Sequence, residues 1–229
     1  FVGPIQSGLC KMLVIGLGNH KGCSAVHEEA PEVFADAIEE TARLILQKAP
    51  VGFGIAILEN AYDKTYAVEA VPAEHLVERE KELVQIAKGN MPYIMLDEAD
   101  VIVCGAIGKD ISGAGFDPNI LGRSSVLKQF VLHIPRYQRL VLCDVTPASH
   151  GNGIGVGLFD VITKKVAEQL DLESMYANAI ACNCLGDASV PCTVDDEETA
   201  IRVALKCCRN IDRDHPRIIR IQNTLHLGE

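Results

Sequence analysis

The sequence predicts an α/β protein whose mixed, largely parallel sheets form layers with helices on their faces. Segments with strand periodicity alternate with segments with helical periodicity along the chain, as is typical of α/β layers. Two short runs, 100–105 and 139–144, are mostly apolar, as expected of strands covered on both faces. Hydrophobic residues make up 48% of the 229 residues and charged residues 23%, so the chain can bury a substantial core.

The first part of the chain contains five predicted elements. They are, in order, a short buried extended segment (9–17), a helix (31–48), two hairpin strands (53–59 and 65–71) and a second helix (73–88). The first helix is amphipathic, because Phe34 and Ile38 recur at helical spacing, and Pro31 suits its first turn. Gly89 and Asn90 end the second helix.

The later part of the chain continues the alternation. Its predicted elements are the two apolar strands, a helix marked by Phe159, Ile162, Val166 and Leu170, a helix opened by 195–198, and a strand at 218–221. The helix opened by 195–198 begins with four acidic residues, which suit its positive end, while Lys206 and Arg209 suit its negative end.

Composition excludes several functional classes. A formal net charge of −10 argues against a nucleic-acid surface, and we expect no nucleic-acid partner. No apolar run reaches the roughly 18–20 residues needed to span a bilayer, and no signal peptide is recognisable. Nine cysteines are too few for a disulfide scaffold, and an odd number cannot all pair within one chain. We therefore expect a reducing compartment and a cytoplasmic protein.

Lys11 is the first candidate for chemistry because it is an ammonium in an apolar segment. In an extended conformation it shares a face with Leu9, Leu13 and Ile15. An ammonium among aliphatic neighbours must reach solvent, find a partner or lose its charge, and an uncharged amine is nucleophilic. The alternative is a lysine at a strand edge that simply reaches solvent.

The glycine-rich segment 16–27 contains the second candidates, His20 and His27. We expect a loop that turns into a helix, with two imidazoles available to a metal. Their spacing specifies no particular metal, and two structural loop histidines are the alternative.

Two more glycine-rich loops follow predicted strands. Lys109 lies in the loop 108–119, where open α/β folds place ligands, and could hold a carboxylate or phosphate. The turn 144–157 lies between a predicted strand and a predicted helix and could bind an anion. A surface turn and close helix–strand packing are the respective alternatives. The second turn lacks the dinucleotide fingerprint, because Leu158 stands where a glycine is needed.

Together, these segments resemble the lactate-racemase-like family, whose members use a nickel-pincer nucleotide. The resemblance runs through nearly all of the chain and is carried by Ser7–Met12, Gly16–Gly22, His27, Gly108–Asn119 and Gly153–Asp160. In that family a lysine is joined through a thioamide to a pyridinium mononucleotide that holds nickel, and a histidine sixteen residues later completes the nickel ligands. Lys11 and His27 have this spacing.

The resemblance implies a racemase or epimerase of 2-hydroxy carboxylic acids that acts by hydride transfer to the nickel-pincer mononucleotide. It implies Lys11 as the cofactor anchor and His27 as the nickel ligand. We assign His20 and Lys109 as the candidate catalytic residues, with Lys109 on the substrate carboxylate, although His20 has no counterpart in the best-understood lactate racemases. Expected partners are a small 2-hydroxy acid and the cofactor-maturation enzymes.

The chain departs from the family at its beginning. It opens on Phe1 without an initiator Met and lacks the family's upstream Asp-x-Thr-Arg segment and acid/base histidines. We therefore expect a missing amino-terminal portion, a remnant of a cofactor-binding domain over 1–50, a carboxyl-terminal α/β domain over 51–229, and incomplete catalysis by this chain. The alternative is a non-catalytic relative or subunit that binds a nucleotide or carboxylate through the glycine-rich turns.

Overall fold

A computed structural model describes residues 3–5 and 7–227 of the chain. These residues divide into two compact units, one made of 3–91 with 181–183 and the other of 92–180 with 184–227. The predicted domain boundary at residue 50 falls within the first unit and stays a prediction. Phe1, on which the expected upstream portion rests, lies outside the described residues.

The first unit is a layer of helices on a two-stranded antiparallel sheet. Its elements are α1 (Leu9–Lys11), a π-helical turn (Met12–Gly16), α2 (Asn19–His27), α3 (Phe34–Lys48), β1 (Phe53–Glu59), β2 (Thr65–Pro72) and α4 (Leu76–Asn90). Its core contains Ile5, Cys10, Ile38 and Leu76, all almost fully buried. The predicted hairpin and both predicted amphipathic helices are confirmed, although α3 begins at Phe34, after a turn. The second helix, α4, begins at Leu76 and includes Gly89 and Asn90, the residues predicted to end it.

The predicted extended conformation of residues 9–17 is wrong, because α1 and the π-helical turn make this segment helical. Cys10, Leu13 and Val14 are its buried residues, and their spacing of three and four residues is that of one helix face. A short apolar run satisfies helix and strand patterns equally well from sequence, and packing against the core of this unit decides between them.

The second unit is built around a five-stranded parallel sheet with the strand order β6-β5-β4-β3-β7. Its elements are β3 (Val101–Cys104), α5 (Pro118–Leu121), β4 (Arg139–Leu142), β5 (Val161–Thr163), α6 (Lys164–Gln169), α7 (Leu172–Ala181, whose last residue belongs to the first unit), β6 (Cys192–Val194), α8 (Glu197–Lys206) and β7 (Ile218–Ile221). The α/β class is thereby confirmed, with one parallel sheet and one antiparallel pair.

Burial explains why the two apolar runs form neighbouring central strands. All four residues of β3 are buried, and in β4 only Arg139 is partly exposed. One face of the sheet carries Val101, Val103 and Val141, which pack with Ala200 and Ala204 of α8. Asp196 caps α8 by accepting a hydrogen bond from the amide of Thr199 at 2.8 Å, as the acidic opening of this helix predicts.

The predicted helix through Phe159, Ile162, Val166 and Leu170 is wrong in its first half. Residues 161–163 form β5, which pairs in parallel with β4 and β6, and a helix begins only at Lys164. All three residues of β5 are buried, so pairing within the sheet overrides a spacing that also suits a helix. No helix among the described residues has both the length and the apolarity needed to cross a membrane.

Candidate functional site

The two predicted histidines lie on one helix of the first unit, not in a loop. His20 occupies the first turn of α2, and His27 is its last residue. Seven residues are almost two helical turns, so both histidines lie on the same face of α2, about 10 Å apart along its axis. This separation exceeds the i, i+4 spacing with which a helix presents two histidines to one metal ion, so α2 does not present both histidines to the same ion.

The ring of His27 is held by contacts within the first unit. Its Nδ1 lies 2.7 Å from the carbonyl oxygen of Cys23, one helical turn earlier, and the ring packs edge-on against Phe34 at 5.1 Å between centroids. Nδ1 donates its proton to this carbonyl, which leaves the lone pair on Nε2. Ligand histidines in metalloproteins show this arrangement, in which the second nitrogen fixes the tautomer and the ring orientation.

Cys23 interacts with His27 and also with Cys182 and Lys11. Its Sγ lies 3.5 Å from the His27 Nδ1, and its thiol is hydrogen-bonded to the Cys182 side chain. Burial raises the pKa of the Cys23 thiol, Cys182 raises it further, and the Lys11 ammonium lowers it. Lys11 is therefore close enough to this cluster to act on it electrostatically. The Asn183 amide also donates to the His27 carbonyl oxygen at 2.8 Å and closes the end of α2.

Lys11 lies at the junction of two helical geometries. It is the last residue of α1 and directly precedes the π-helical turn Met12–Gly16. Its side chain is half-buried, whereas its neighbour Met12 is exposed. π-Helical turns are rare and frequently occur at functional sites, since the extra residue redirects the side chains beside it.

Glu80 of α4 fixes the backbone beside Lys11. This carboxylate is buried, and its Oε2 accepts a hydrogen bond from the amide of Cys10 at 2.6 Å. Gly8 makes the approach possible, because a Cβ on residue 8 would lie 2.5 Å from the Glu80 Oε1. That second oxygen is buried and has no hydrogen-bond partner within the described residues. A carboxylate therefore binds the amino end of the turn that carries Lys11.

We expect Glu80→Ala to destabilise the protein by about 2–3 kcal/mol, because the buried Cys10 amide loses a charge-assisted hydrogen bond and a cavity remains. Denaturant unfolding monitored by circular dichroism measures the change. Glu82→Ala, an exposed glutamate on the same helix, is the matched control and should have little effect. Equal effects of the two substitutions would contradict a special role for Glu80.

Lys109 lies in the second unit, after the carboxyl end of β3, and its side chain is exposed. Its Nζ donates to the carbonyl oxygen of Gly113 at 2.6 Å and to the Asn178 Oδ1 at 3.0 Å. Two acidic residues of the same loop have partners of their own: Asp110 accepts a hydrogen bond from Thr146, and Asp117 caps α5. The role of Lys109 toward a substrate stays a prediction.

Hydroxyl groups gather beside Lys109 at the same end of the sheet. The buried Ser149 Oγ accepts from the Lys109 amide at 2.8 Å and lies 2.9 Å from the Thr146 Oγ1. The Asn178 Oδ1, which accepts a hydrogen bond from the Lys109 Nζ, also accepts one from the side-chain Nδ2 of Asn152 at 3.2 Å. The carboxyl ends of β3 and β4 thus present the polar groups that ligand sites of α/β folds use.

The glycines of the two later loops serve close packing of one loop against the other. Gly115 and Gly155 both have positive φ angles, 87° and 96°. A Cβ on Gly115 would lie 2.0 Å from the Ile154 carbonyl oxygen, and one on Gly155 would lie 2.3 Å from the Ala114 carbonyl oxygen. The turn 144–157 also leads into β5, so the expected helix start that would hold an anion is wrong.

Three residues that no sequence motif singles out lie around the predicted anchor and ligand: Glu80, Cys23 and Asn183. Glu80 had a recognisable signal, because it interrupts the apolar stripe of α4 formed by Leu76, Val77 and Leu83. Cys23 lies four residues before His27, the spacing at which a helix brings side chains together, whereas Asn183 is remote in sequence and gave no signal.

Within residues 3–5 and 7–227, no three His, Cys, Asp or Glu side chains form a group that could hold a metal ion. The resemblance to the lactate-racemase-like family implies a nucleotide that needs only one nickel ligand from the chain, and the orientation of the His27 ring fits that requirement. Comparison of the chain with protein-family models, with curated proteins and with solved structures gives no match.

Proposed function

We propose that this chain carries the cofactor anchor and nickel ligand of a racemase or epimerase that acts on 2-hydroxy carboxylic acids. The observation that supports this most directly is the hydrogen bond from the His27 Nδ1 to the Cys23 carbonyl, which leaves Nε2 as the ligand nitrogen. Lys11 lies in the same unit, and its ammonium lowers the pKa of the Cys23 thiol, whose Sγ lies 3.5 Å from the His27 Nδ1.

The substrate class explains why a cofactor is needed. The Cα–H of a 2-hydroxy acid is a very weak acid, and the adjacent carboxylate makes a carbanion still less stable. Loss of hydride instead gives a planar 2-keto acid, and return of hydride to either face inverts or restores the centre. A bound nickel-pincer nucleotide supplies the electrophilic centre for this hydride, which side chains cannot provide.

The chain's own residues have distinct tasks in this proposal. The Lys11 Nζ forms the covalent link, and the His27 Nε2 binds nickel. His20 is exposed on the same face of α2, where its imidazole can accept the hydroxyl proton of a substrate that extends along the helix. Lys109 binds the substrate carboxylate through its exposed ammonium. The proposed location is the cytoplasm, which the free state of the nine cysteines supports.

The function is tested with the full-length protein produced together with the enzymes that build the nickel-pincer nucleotide. We expect about one nickel per chain and interconversion of D- and L-enantiomers within a panel of 2-hydroxy acids of increasing size. In D₂O the product should keep protium on Cα, because hydride is returned without exchange with solvent. Deuterium incorporation would contradict hydride transfer, and absence of both nickel and turnover would favour the non-catalytic relative.

For Lys109, we expect Lys109→Ala in that enzyme to raise KM or lower turnover about tenfold or more, because a charge-assisted contact of about 1.5–3 kcal/mol is lost. Asn178→Ala is the matched control, since it breaks the same contact with Lys109 but keeps the ammonium. Equal kinetics of the two variants would show that Lys109 only holds its own loop, and nickel content should be normal in both.

A further inference from the structure

The hairpin of the first unit has an apolar face that points away from its core. The outward-facing residues of β1 and β2 include five large apolar side chains, each 57–64% exposed: Phe53, Ile55, Ile57, Tyr66 and Val68. The register places Ile57 opposite Val68 and Ile55 opposite Ala70, so these side chains form one continuous surface. We call these five residues and Ala70 the outer hairpin face.

The opposite, inner face of the hairpin already packs against the core of the first unit. Ala56, Leu58 and Val71 are buried in the core of the first unit. Glu69, also on this inner face, accepts two hydrogen bonds from Arg79 of α4, at 2.7 and 2.8 Å. Five large apolar side chains thus turn outward, whereas the outward face of a half-buried antiparallel sheet is usually polar.

We propose that the outer hairpin face is a dimer interface between two copies of this chain. Within the described part of the chain β1 and β2 pair only with each other, and a two-stranded sheet gains stability when a second layer covers it. In a symmetric dimer the same patch meets itself, and two such sheets stack about 10 Å apart.

The exposed area matches what such a dimer requires. Two aromatic and three aliphatic side chains at this exposure offer on the order of 400 Å² of apolar surface, or about 800 Å² for two copies. A homodimer interface of about 1,200 Å², of which about 65% is apolar, requires a similar amount. A patch of this size is within the range of the largest apolar patch on a typical monomer, and such patches are often functional.

Charge favours a second copy over a lipid surface. None of the six residues that define the outer hairpin face is ionised, and the acidic residue that follows them in the strand alternation, Glu59, lies at the turn end of β1. The turn that joins β1 and β2 contains one acidic and one basic residue, Asp63 and Lys64, and the whole chain carries a net charge of −10. Attachment to an anionic membrane normally requires clustered Lys and Arg around the apolar side chains.

Sedimentation equilibrium of the full chain, from about 1 to 100 µM, tests the proposal. We expect a reversible dimer, and at least a tenfold higher dissociation constant for Ile57→Lys, because each interface would bury two ammonium groups. Leu44→Lys, on the exposed side of α3, is the matched control and should associate like the original protein.

A second variant keeps the proposal testable if Ile57→Lys does not fold. Ile55→Thr/Ile57→Thr removes apolar surface but keeps β-branched side chains, and it should also weaken association at least tenfold with an unchanged circular dichroism spectrum. A protein that stays monomeric at all concentrations would overturn the proposal, as would a dimer equally strong in the outer-face and control variants. A monomer that floats with phosphatidylcholine–phosphatidylserine vesicles would assign the face to a membrane instead.

Discussion

Lys11→Ala should abolish the covalent attachment of the nickel-pincer nucleotide, because alanine offers no side-chain nitrogen for the thioamide link. Intact-mass measurement of the protein produced with the cofactor-building enzymes should show a mononucleotide-sized adduct in the original chain and none in the variant. Nickel content should fall with it, since His27 alone supplies one donor atom and a single imidazole holds nickel weakly.

Two further variants test whether the adduct requires the amine of Lys11 itself. One removes a different lysine, and the other keeps a positive charge at residue 11 without the amine. Lys21→Ala removes an exposed lysine from α2 and should leave the adduct intact. Lys11→Arg keeps a cation near Cys23 but replaces the amine with a guanidinium that stays protonated, so it should also lack the adduct. An adduct in Lys11→Ala at the original level would exclude this residue as the anchor.

Most of the fold was predictable because its strongest elements agree with the local sequence. The hairpin, α3, α4, α8 and the three strands β3, β4 and β7 all follow apolar periodicity and helix-end signals. Two of the errors, at residues 9–17 and at β5, concern short apolar runs that fit more than one period. In both, burial against distant parts of the same unit decides the conformation, and a local pattern does not contain that information.

The sequence proposes residues for the candidate site but does not reveal their geometry. Lys11 and His27 are paired through the resemblance, whose lysine–histidine spacing they share, and the structure adds that both belong to helical segments of one unit. Two of the site's hydrogen bonds join a side chain to a backbone group: the His27 ring donates to the Cys23 carbonyl, and the Glu80 carboxylate accepts from the Cys10 amide. Backbone partners leave no residue-type signature, so sequence motifs alone cannot reveal them.

His27→Ala should lower the nickel content of the matured protein at least tenfold while the adduct on Lys11 remains. In the proposal the imidazole is the only nickel ligand that the chain supplies, so without it nickel would be held by the cofactor's own donor atoms alone. The fold should tolerate the change, because His27 is the last residue of α2 and is only partly buried. Intact-mass measurement and metal analysis of the same sample separate the two effects.

His20→Ala is the matched control, because it removes the other histidine from the same face of α2. It should keep nickel at the original level and, if His20 accepts the substrate's proton, reduce turnover instead. Unchanged nickel in His27→Ala together with loss of nickel in His20→Ala would reverse the assignment of ligand and base. The tautomer argues against that outcome, since the hydrogen bond to Cys23 orients the His27 ring before any metal binds.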